Sequence, residues 1–315
     1  MNKGIIFKKY GSIADLEYAE LPEPQSPEPG NAIVKINAMG LNPRDISIIE
    51  GKFKFLTGSK FPKLTGADFS GEVVELPENA EGFSVGDKVF GYFEKLKGGV
   101  SSTICSIPLK YLVRKPTEIK DAEAAALGCT YLTAYTALIK KANIKQGEKV
   151  LIYGASGGVG TAAIQIAKKL GAIVTAVSNS RNKEYCLAQG ADHFIAYDKQ
   201  NVFELNEKFN LFFQVYSDNG SLYSKGKNII RKDGLYIGLI PNPLAGILGR
   251  FKKPKSDFVL VKSNRAYLEE ISEWVRSGAL VPHIHQVYQL ENFKQAFSDL
   301  KNGEIQGKII ITMNS

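Results

Sequence analysis

The chain has 315 residues, 44% of them hydrophobic and 23% charged, with a formal net charge of +8. This is an ordinary composition for a soluble globular protein, long enough for two domains and free of low-complexity tracts. No stretch approaches the roughly 18 unbroken apolar residues of a membrane helix, and the apolar run inside Met1–Lys9 is too short for a signal peptide. Three cysteines (Cys105, Cys129, Cys186) show no CxxC spacing, so neither a disulfide framework nor a structural zinc knuckle is encoded, and a reducing, cytoplasmic protein is expected. The lysines are scattered, and the densest basic cluster, 250–255, is short. Without a recognised nucleic-acid module, the charge is assigned to solubility and to attraction of an anionic cofactor, and nucleic acid is not an expected partner.

The first third reads as strands. Residues 32–37 and 71–76 carry strand patterns between turn formers at Pro22–Gly30 and Pro77–Gly86, and Gly86–Gly91 looks like a turn entering another short strand. From Asp121 the pattern changes. Asp121 reads as an N-cap for a helix over 121–127. Strands at 149–153, 173–177, 194–197, 211–213 and 235–239 follow, with helices over 159–170, closed by Gly171, and 183–189, closed by Gly190. Such alternation with short connections predicts βαβ units and a parallel sheet. Residues 258–261 read as a further strand, 264–277 as a helix, and 308–312 as the last strand.

The most specific feature runs from Val150 to Ala172. A strand enters the turn Gly154-Ala155-Ser156-Gly157-Gly158-Val159-Gly160, and a helix starts at once. The glycines allow a tight turn and let a pyrophosphate approach bare backbone, while the helix N-terminus offers unpaired N–H groups and a favourable dipole. In fingerprint phase, alanine stands at Ala155 where the first glycine belongs. The bland alternative is a glycine-rich structural turn. An NAD site places a carboxylate at the end of the next strand. This chain has Ser178-Asn179-Ser180-Arg181 there, so Arg181 can pair with a 2′-phosphate and the hydroxyls can donate to it, which points to NADP(H). Tyr197 ends the following strand and can flank the adenine end. A polar loop with a solvated Arg181 is the alternative.

With these residues placed, the chain resembles the medium-chain dehydrogenase/reductase superfamily, in its zinc-free quinone oxidoreductase (zeta-crystallin-like) branch, nearly end to end. The segments that carry the likeness are Gly40-Leu-Asn-Pro-Arg-Asp45, Gly66-Ala-Asp-Phe-Ser-Gly-Glu-Val-Val74, Gly86–Gly91, Leu132–Leu138 and Asn302-Gly-Glu-Ile-Gln-Gly-Lys308. The resemblance implies a β-rich GroES-like catalytic domain (1–121, completed by 262–315) with a doubly wound α/β Rossmann domain (122–261) inserted. It also implies a homodimer joined through the Rossmann sheets. Zinc-dependent relatives hold a catalytic zinc where this chain has Asn42, Ala67 and Cys129, and one thiolate cannot hold a metal that takes three or four protein ligands. No metal is expected, and Cys129 reads as a buried small hydrophobe. By the same resemblance, Thr133 touches the nicotinamide amide, the backbone near Leu239 and Ile240 lines its ring, and Lys308 stands on the cofactor side. Asn42 faces the substrate and can donate to a developing oxyanion; alternatively it only stabilises the turn before Pro43. His283 and His285 alternate like strand neighbours without a third ligand, and read as surface histidines.

The implied chemistry is reduction of quinones or α,β-unsaturated carbonyls by NADPH, because conjugation activates these substrates without a metal. The chain departs from the branch at Ile46–Phe55, which lacks the expected tyrosines, and at Phe212–Ser217. Those departures support an alternative: a protein that binds NADPH as a redox sensor with little turnover.

Overall fold

The computed structural model describes residues 1–78, 80–97, 99–216, 222–239 and 254–313. They divide into two compact units, Met1–Cys129 with Lys262–Ser315, and Thr130–Val261. Residues 122–129, placed by the sequence with the inserted domain, pack with the first unit.

The first unit opens with β1 (Asn2–Phe7), β2 (Leu16–Leu21), β3 (Asn31–Gly40), β4 (Lys63–Leu64), β5 (Asp68–Glu75), β6 (Lys88–Tyr92), β7 (Ile104–Pro108) and β8 (Leu112–Arg114). On β3, Ala32, Val34 and Ile36 point into the core; on the opposite face Lys35 is exposed while Ile33 is covered, so that face is only partly wet. A register shift between Ile36 and Ala38 then re-aims the end of the strand. Helix α1 (Pro43–Ile49) follows directly. Pro43 suits the first helical position, and Asn42 before it is extended at φ −133° and ψ 150°. The Asp45 carboxylate accepts the Asn42 N–H at 2.8 Å and closes the first turn.

Asp121 does not cap its helix. The extended residue before the turn is Lys120, whose N–H donates to Glu123 at 2.7 Å, and Asp121 begins the helix, which ends at Ala124 rather than 127. A separate helix, α2, spans Gly128–Tyr135.

The second unit is built on six parallel strands: β9 (Lys149–Tyr153), β10 (Ile173–Ser178), β11 (His193–Ala196), β12 (Phe209–Gln214), β13 (Ile230–Gly238) and β14 (Lys255–Phe258). Their order, β11-β10-β9-β12-β13-β14, is that of a doubly wound dinucleotide-binding sheet. Helix α3 (Gly158–Lys169) follows β9 and buries Ala162, Ala163 and Ala167, small enough to lie close to the sheet, together with Ile164 and Ile166. Gly171 closes it at φ +77°. Helix α4 (Lys183–Ala188) follows β10. The strand expected at 258–261 lies earlier, at 255–258, because it ends where its partner β13 ends, with Phe258 opposite Gly238. As an edge strand it accommodates Lys255 and Asp257, which hide it from a pattern search.

The chain then completes the first unit with α5 (Arg265–Arg276), β15 (Ile284–Gln289), α6 (Phe293–Asn302) and β16 (Lys308–Thr312). Strand β16 joins β3, giving a sheet ordered β15-β16-β3-β5-β6-β8, with β7 also paired to β3. Helix α6 was not expected, although Phe293, Ala296, Phe297 and Leu300 repeat at helical spacing and all are buried. The fold is a GroES-like domain plus a Rossmann parallel sheet.

Candidate functional site

In the second unit, the turn after β9 has the geometry of an anion cradle. Gly154 takes φ +89°, and the N–H groups of Gly154 and Ala155 donate to Val177 O at 2.9 and 3.0 Å, tying the turn to the end of β10. A Cβ on Gly160 would lie 2.4 Å from Gly154 O and 2.6 Å from Ala155 Cα, so only glycine lets α3 start this close to the strand. Gly157, the extended N-cap of α3, behaves differently: a Cβ there would meet only Gly154 O, at 3.9 Å. The first-turn amides of Gly158 and Val159 have no intrahelical acceptor, and a glycine cap offers none. Bare amides, a helix dipole and open space at Gly157 fit a pyrophosphate.

The neighbouring side chains support this turn. Ser156 Oγ accepts from Ser178 Oγ (2.9 Å) and Asn182 Nδ2 (3.1 Å), and Asn182 also reaches Ser178 (3.0 Å). Ser178 therefore faces the loop, and Asn182 is a participant the sequence did not announce. Asn179 accepts from the Arg181 N–H at 3.2 Å. Ser180 donates both its N–H and its hydroxyl to Asp198, each at 2.7 Å, and these bonds hold that carboxyl below its ordinary value. The hydroxyl expected to meet a 2′-phosphate is thus already engaged, and Arg181, an exposed side chain, is the cation of the loop. Asp198 was missed because its relevance depends on the pairing of β10 with β11. Tyr197 is half exposed and stacks on Tyr153 at 6.1 Å. Thr133 is buried on α2 and Leu239 half-buried beyond β13; Ile240 lies outside the described residues. Gln214, in one of the atypical segments, is buried: its side-chain oxygen accepts from Leu222 N–H and the Tyr236 hydroxyl, and its amide donates to Tyr216 O. That is internal support for the end of β12.

In the first unit, a polar cluster forms at one end of the sheet, where Gly40 pairs with Asp68, Asp68 with Tyr92, and Ile310 with Gly40. Lys308 Nζ donates to Asp68 Oδ2 (2.8 Å), Asn42 Oδ1 (2.9 Å) and Leu41 O (2.7 Å), filling all three ammonium donors. Asn42 Nδ2 donates to Asp68 Oδ2 at 3.0 Å and reaches Gly40 O at 3.4 Å. The other Asp68 oxygen accepts the Cys129 N–H at 2.6 Å. Two glycines make room: a Cβ on Gly128 would lie 2.4 Å from Asp68 Oδ1, and one on Gly40 would lie 2.4 Å from Ala125 O. Lys308, expected on the cofactor side, is placed here beside Asn42. Asn42 itself turns its side chain to Lys308 and Asp68, with only the long contact to Gly40 O inside the turn before Pro43.

Next to this cluster, Arg44 donates to the Tyr92 hydroxyl at 2.6 Å and to the carbonyl of Lys95 at 2.8 Å. Burial pushes the Tyr92 phenol well above its usual range, against the pull of Arg44, so it stays neutral. Burial likewise raises the Asp45 carboxyl, although Arg44 and the Asn42 N–H favour its charged form. Arg44, Asp68 and Tyr92 were all missed as site residues. Two signals were available, a lysine opening an otherwise apolar strand, Lys308-Ile-Ile-Ile, and an aspartate at an inward strand position, each of which demands a buried partner.

Zinc does not fit. Asn42 and Ala67 bring an amide and a methyl group, Cys129, half-buried rather than fully buried as expected, is left as a lone thiol, and the Lys308 ammonium occupies the Asp68 carboxylate. Among the described residues, no group of three or more His, Cys, Asp or Glu side chains comes together to hold a metal. His283 is half-buried and His285 exposed, where its ring accepts the Gln306 N–H.

Comparison with known proteins agrees with this geometry. The alcohol dehydrogenase GroES-like domain family matches residues 28–117, and the zinc-binding dehydrogenase family matches 189–311. The glutamate/leucine/phenylalanine/valine dehydrogenase family matches 119–234. A chloroplast envelope quinone oxidoreductase homolog of Arabidopsis thaliana is 32% identical over 96% of this chain and 95% of its own length. A 2-methylene-furan-3-one reductase of Solanum lycopersicum is 31% identical over 97% of this chain and 77% of its own. The quinone oxidoreductase from Coxiella burnetii superposes with a TM-score of 0.91 at 25% identity, over 99% of both chains.

Proposed function

The chain belongs to the medium-chain dehydrogenase/reductase superfamily, in its zinc-free quinone oxidoreductase branch, and from that premise we propose that it is an NADPH-dependent reductase of quinones or α,β-unsaturated carbonyls. Members of this oxidoreductase family bind nicotinamide dinucleotides, and a bound dihydronicotinamide supplies a hydride equivalent. The observation that carries the reading is the side-chain set at Asn42, Ala67 and Cys129, which cannot assemble a zinc site, so the substrate must be activated through its own conjugation and through hydrogen bonds.

In this reading the bare amides after Gly157 bind the pyrophosphate, Arg181 pairs with the 2′-phosphate, and Tyr197 flanks the adenine. Asn42 supplies a polar contact to the substrate. One of its Nδ2 hydrogens is fixed by Asp68 and the other reaches Gly40 O only at 3.4 Å. That weak bond is the one to exchange for a substrate oxygen as negative charge develops on it. Lys308 and Asp68 hold the amide in the orientation that presents Nδ2. The reading places the protein in the cytoplasm as a homodimer.

Oxidation of NADPH in the presence of a panel of quinones and 2-alkenals tests the proposal. Turnover is expected with at least one class, and treatment with a strong zinc chelator is expected to leave the rate unchanged. Tight NADPH binding without turnover of any acceptor favours the sensor instead. For the cofactor, Arg181→Glu is expected to weaken NADPH binding by about tenfold or more and to leave NADH nearly unchanged, since it replaces a charge-assisted pair with a repulsive one. Equal loss for both cofactors in a fluorescence titration removes Arg181 from the 2′-phosphate site.

A further inference from the structure

The segment after α1, residues 51–64, reads Gly-Lys-Phe-Lys-Phe-Leu-Thr-Gly-Ser-Lys-Phe-Pro-Lys-Leu, with lysines and phenylalanines interleaved. It overlaps the stretch that departs from the family pattern, and the proposed reaction gives it no role. Its aromatic residues divide into two sets. Phe53 and Phe61 pack against the core of the first unit. Phe55 is 93% exposed and the adjacent Leu56 59% exposed, the largest neighbouring pair of outward apolar side chains among the described residues.

The pair is held outward by a well-braced base. The Tyr10 hydroxyl bonds to Thr57 Oγ1 at 2.5 Å and to Gly58 O, and Thr57 Oγ1 reaches Phe53 O at 3.1 Å. Lys63 Nζ donates to Thr57 O at 3.0 Å, and Phe61 packs edge-on against Phe7 and Tyr10. The helical turn Lys54–Thr57 therefore projects Phe55 and Leu56 from a rigid mount.

The acids on this side of the unit are already paired: Glu50 with Lys52 at 2.9 Å and Lys301 at 2.7 Å, and Asp15 with Lys9 at 3.1 Å. Lys54, which sits over the Phe55 ring, and the exposed Lys60 enter no ion pair among the described residues. An aromatic and an aliphatic side chain standing side by side, flanked by unpaired ammonium groups, match the boundary between acyl chains and anionic headgroups.

We propose that Phe55 and Leu56, with Lys54 and Lys60, form a peripheral docking point for an anionic lipid bilayer. The apolar pair enters the acyl boundary while the two lysines meet the headgroup phosphates. No helix among the described residues is long and apolar enough to cross a membrane, so the contact is superficial. The aliphatic Leu56 favours lipid over nucleic acid, because it offers no ring on which a base can stack.

The test is co-sedimentation of the full chain with phosphatidylcholine vesicles, with and without 30 mole per cent phosphatidylglycerol (about the anionic content needed for a clear surface potential). The wild type is expected to bind the anionic vesicles and to release as salt rises. Phe55→Ser with Leu56→Ser is expected to lower the partition coefficient by at least about tenfold, and Lys54→Ser or Lys60→Ser by roughly fivefold each. These side chains are exposed, so thermal melts of the variants should match the wild type. The proposal is overturned by absence of wild-type binding, or by loss in the lysine variants alone, which reduces the effect to general basicity. It is equally overturned if the Phe55/Leu56 variant changes the oligomeric state, or abolishes binding to single-stranded RNA at the same salt while vesicle binding is unchanged. None of these readouts uses NADPH or turnover, so the outcome is independent of the proposed activity.

Discussion

Replacing Lys308 with methionine should lower the unfolding free energy by about 3–5 kcal/mol, the range for removing one partner of a buried ion pair. The Lys308 side chain is 6% exposed and that of Asp68 fully buried. Methionine fills much of the same volume, so the loss comes from the Asp68 carboxylate, which keeps only the Cys129 N–H and Asn42 Nδ2 as donors. Leu41 O and Asn42 Oδ1 also lose their donor. Urea denaturation followed by circular dichroism gives the size of the effect, and an unchanged m-value keeps the two-state reading. Adding Asp68→Asn should recover a large part of the loss, because asparagine carries no charge and can still accept from Cys129. A loss under about 1 kcal/mol for Lys308→Met sinks the claim that a charged pair is held there. NADPH affinity of the same variant separates two roles for Lys308. If it acts through Asn42, affinity stays near wild type while turnover falls; if it stands on the cofactor side, affinity falls as well.

The contrast between the glycine cradle of the second unit and the polar cluster of the first shows what a sequence can reveal. The cradle after β9 is coded locally: strand, glycines and helix lie in one run from Val150 to Ala172, and Gly154 and Gly160 each have a steric reason within it. The parallel sheet follows from the same alternation, although the order of its strands does not. The polar cluster is coded by register instead. Lys308 and Asp68 are 240 residues apart, and they meet because β16 pairs with β3 and β3 with β5. Tyr92 joins them as the cross-strand partner of Asp68. Nothing in the local pattern of Gly66-Ala-Asp68 or Gly91-Tyr92 tells which strands will flank it. The capture of Ser180 by Asp198 is hidden for the same reason, since it depends on Ala196 lying beside Ser178.

The cradle itself can be tested with a substitution that separates cofactor binding from folding. Gly157→Ala is expected to leave the thermal midpoint nearly unchanged. Its φ of −74° suits alanine, and the added methyl group meets only Gly154 O at 3.9 Å. If a pyrophosphate rests on the first turn of α3, that methyl group stands in the anion's space and pushes it off the amides of Gly158 and Val159. Loss of one or two charge-assisted hydrogen bonds corresponds to about 10- to 100-fold weaker binding of NADPH, and of NADH to a similar degree, because both carry the same diphosphate. Gly160→Ala serves as the contrast. Its methyl group would sit 2.4 Å from Gly154 O, so it should lower stability and binding together. Fluorescence titration of both cofactors beside thermal melts distinguishes the cases. A Gly157→Ala protein that melts normally and binds both dinucleotides at wild-type strength reduces the loop to a structural turn. The proposed reductase chemistry then loses its cofactor site, whatever the polar cluster on the other unit does.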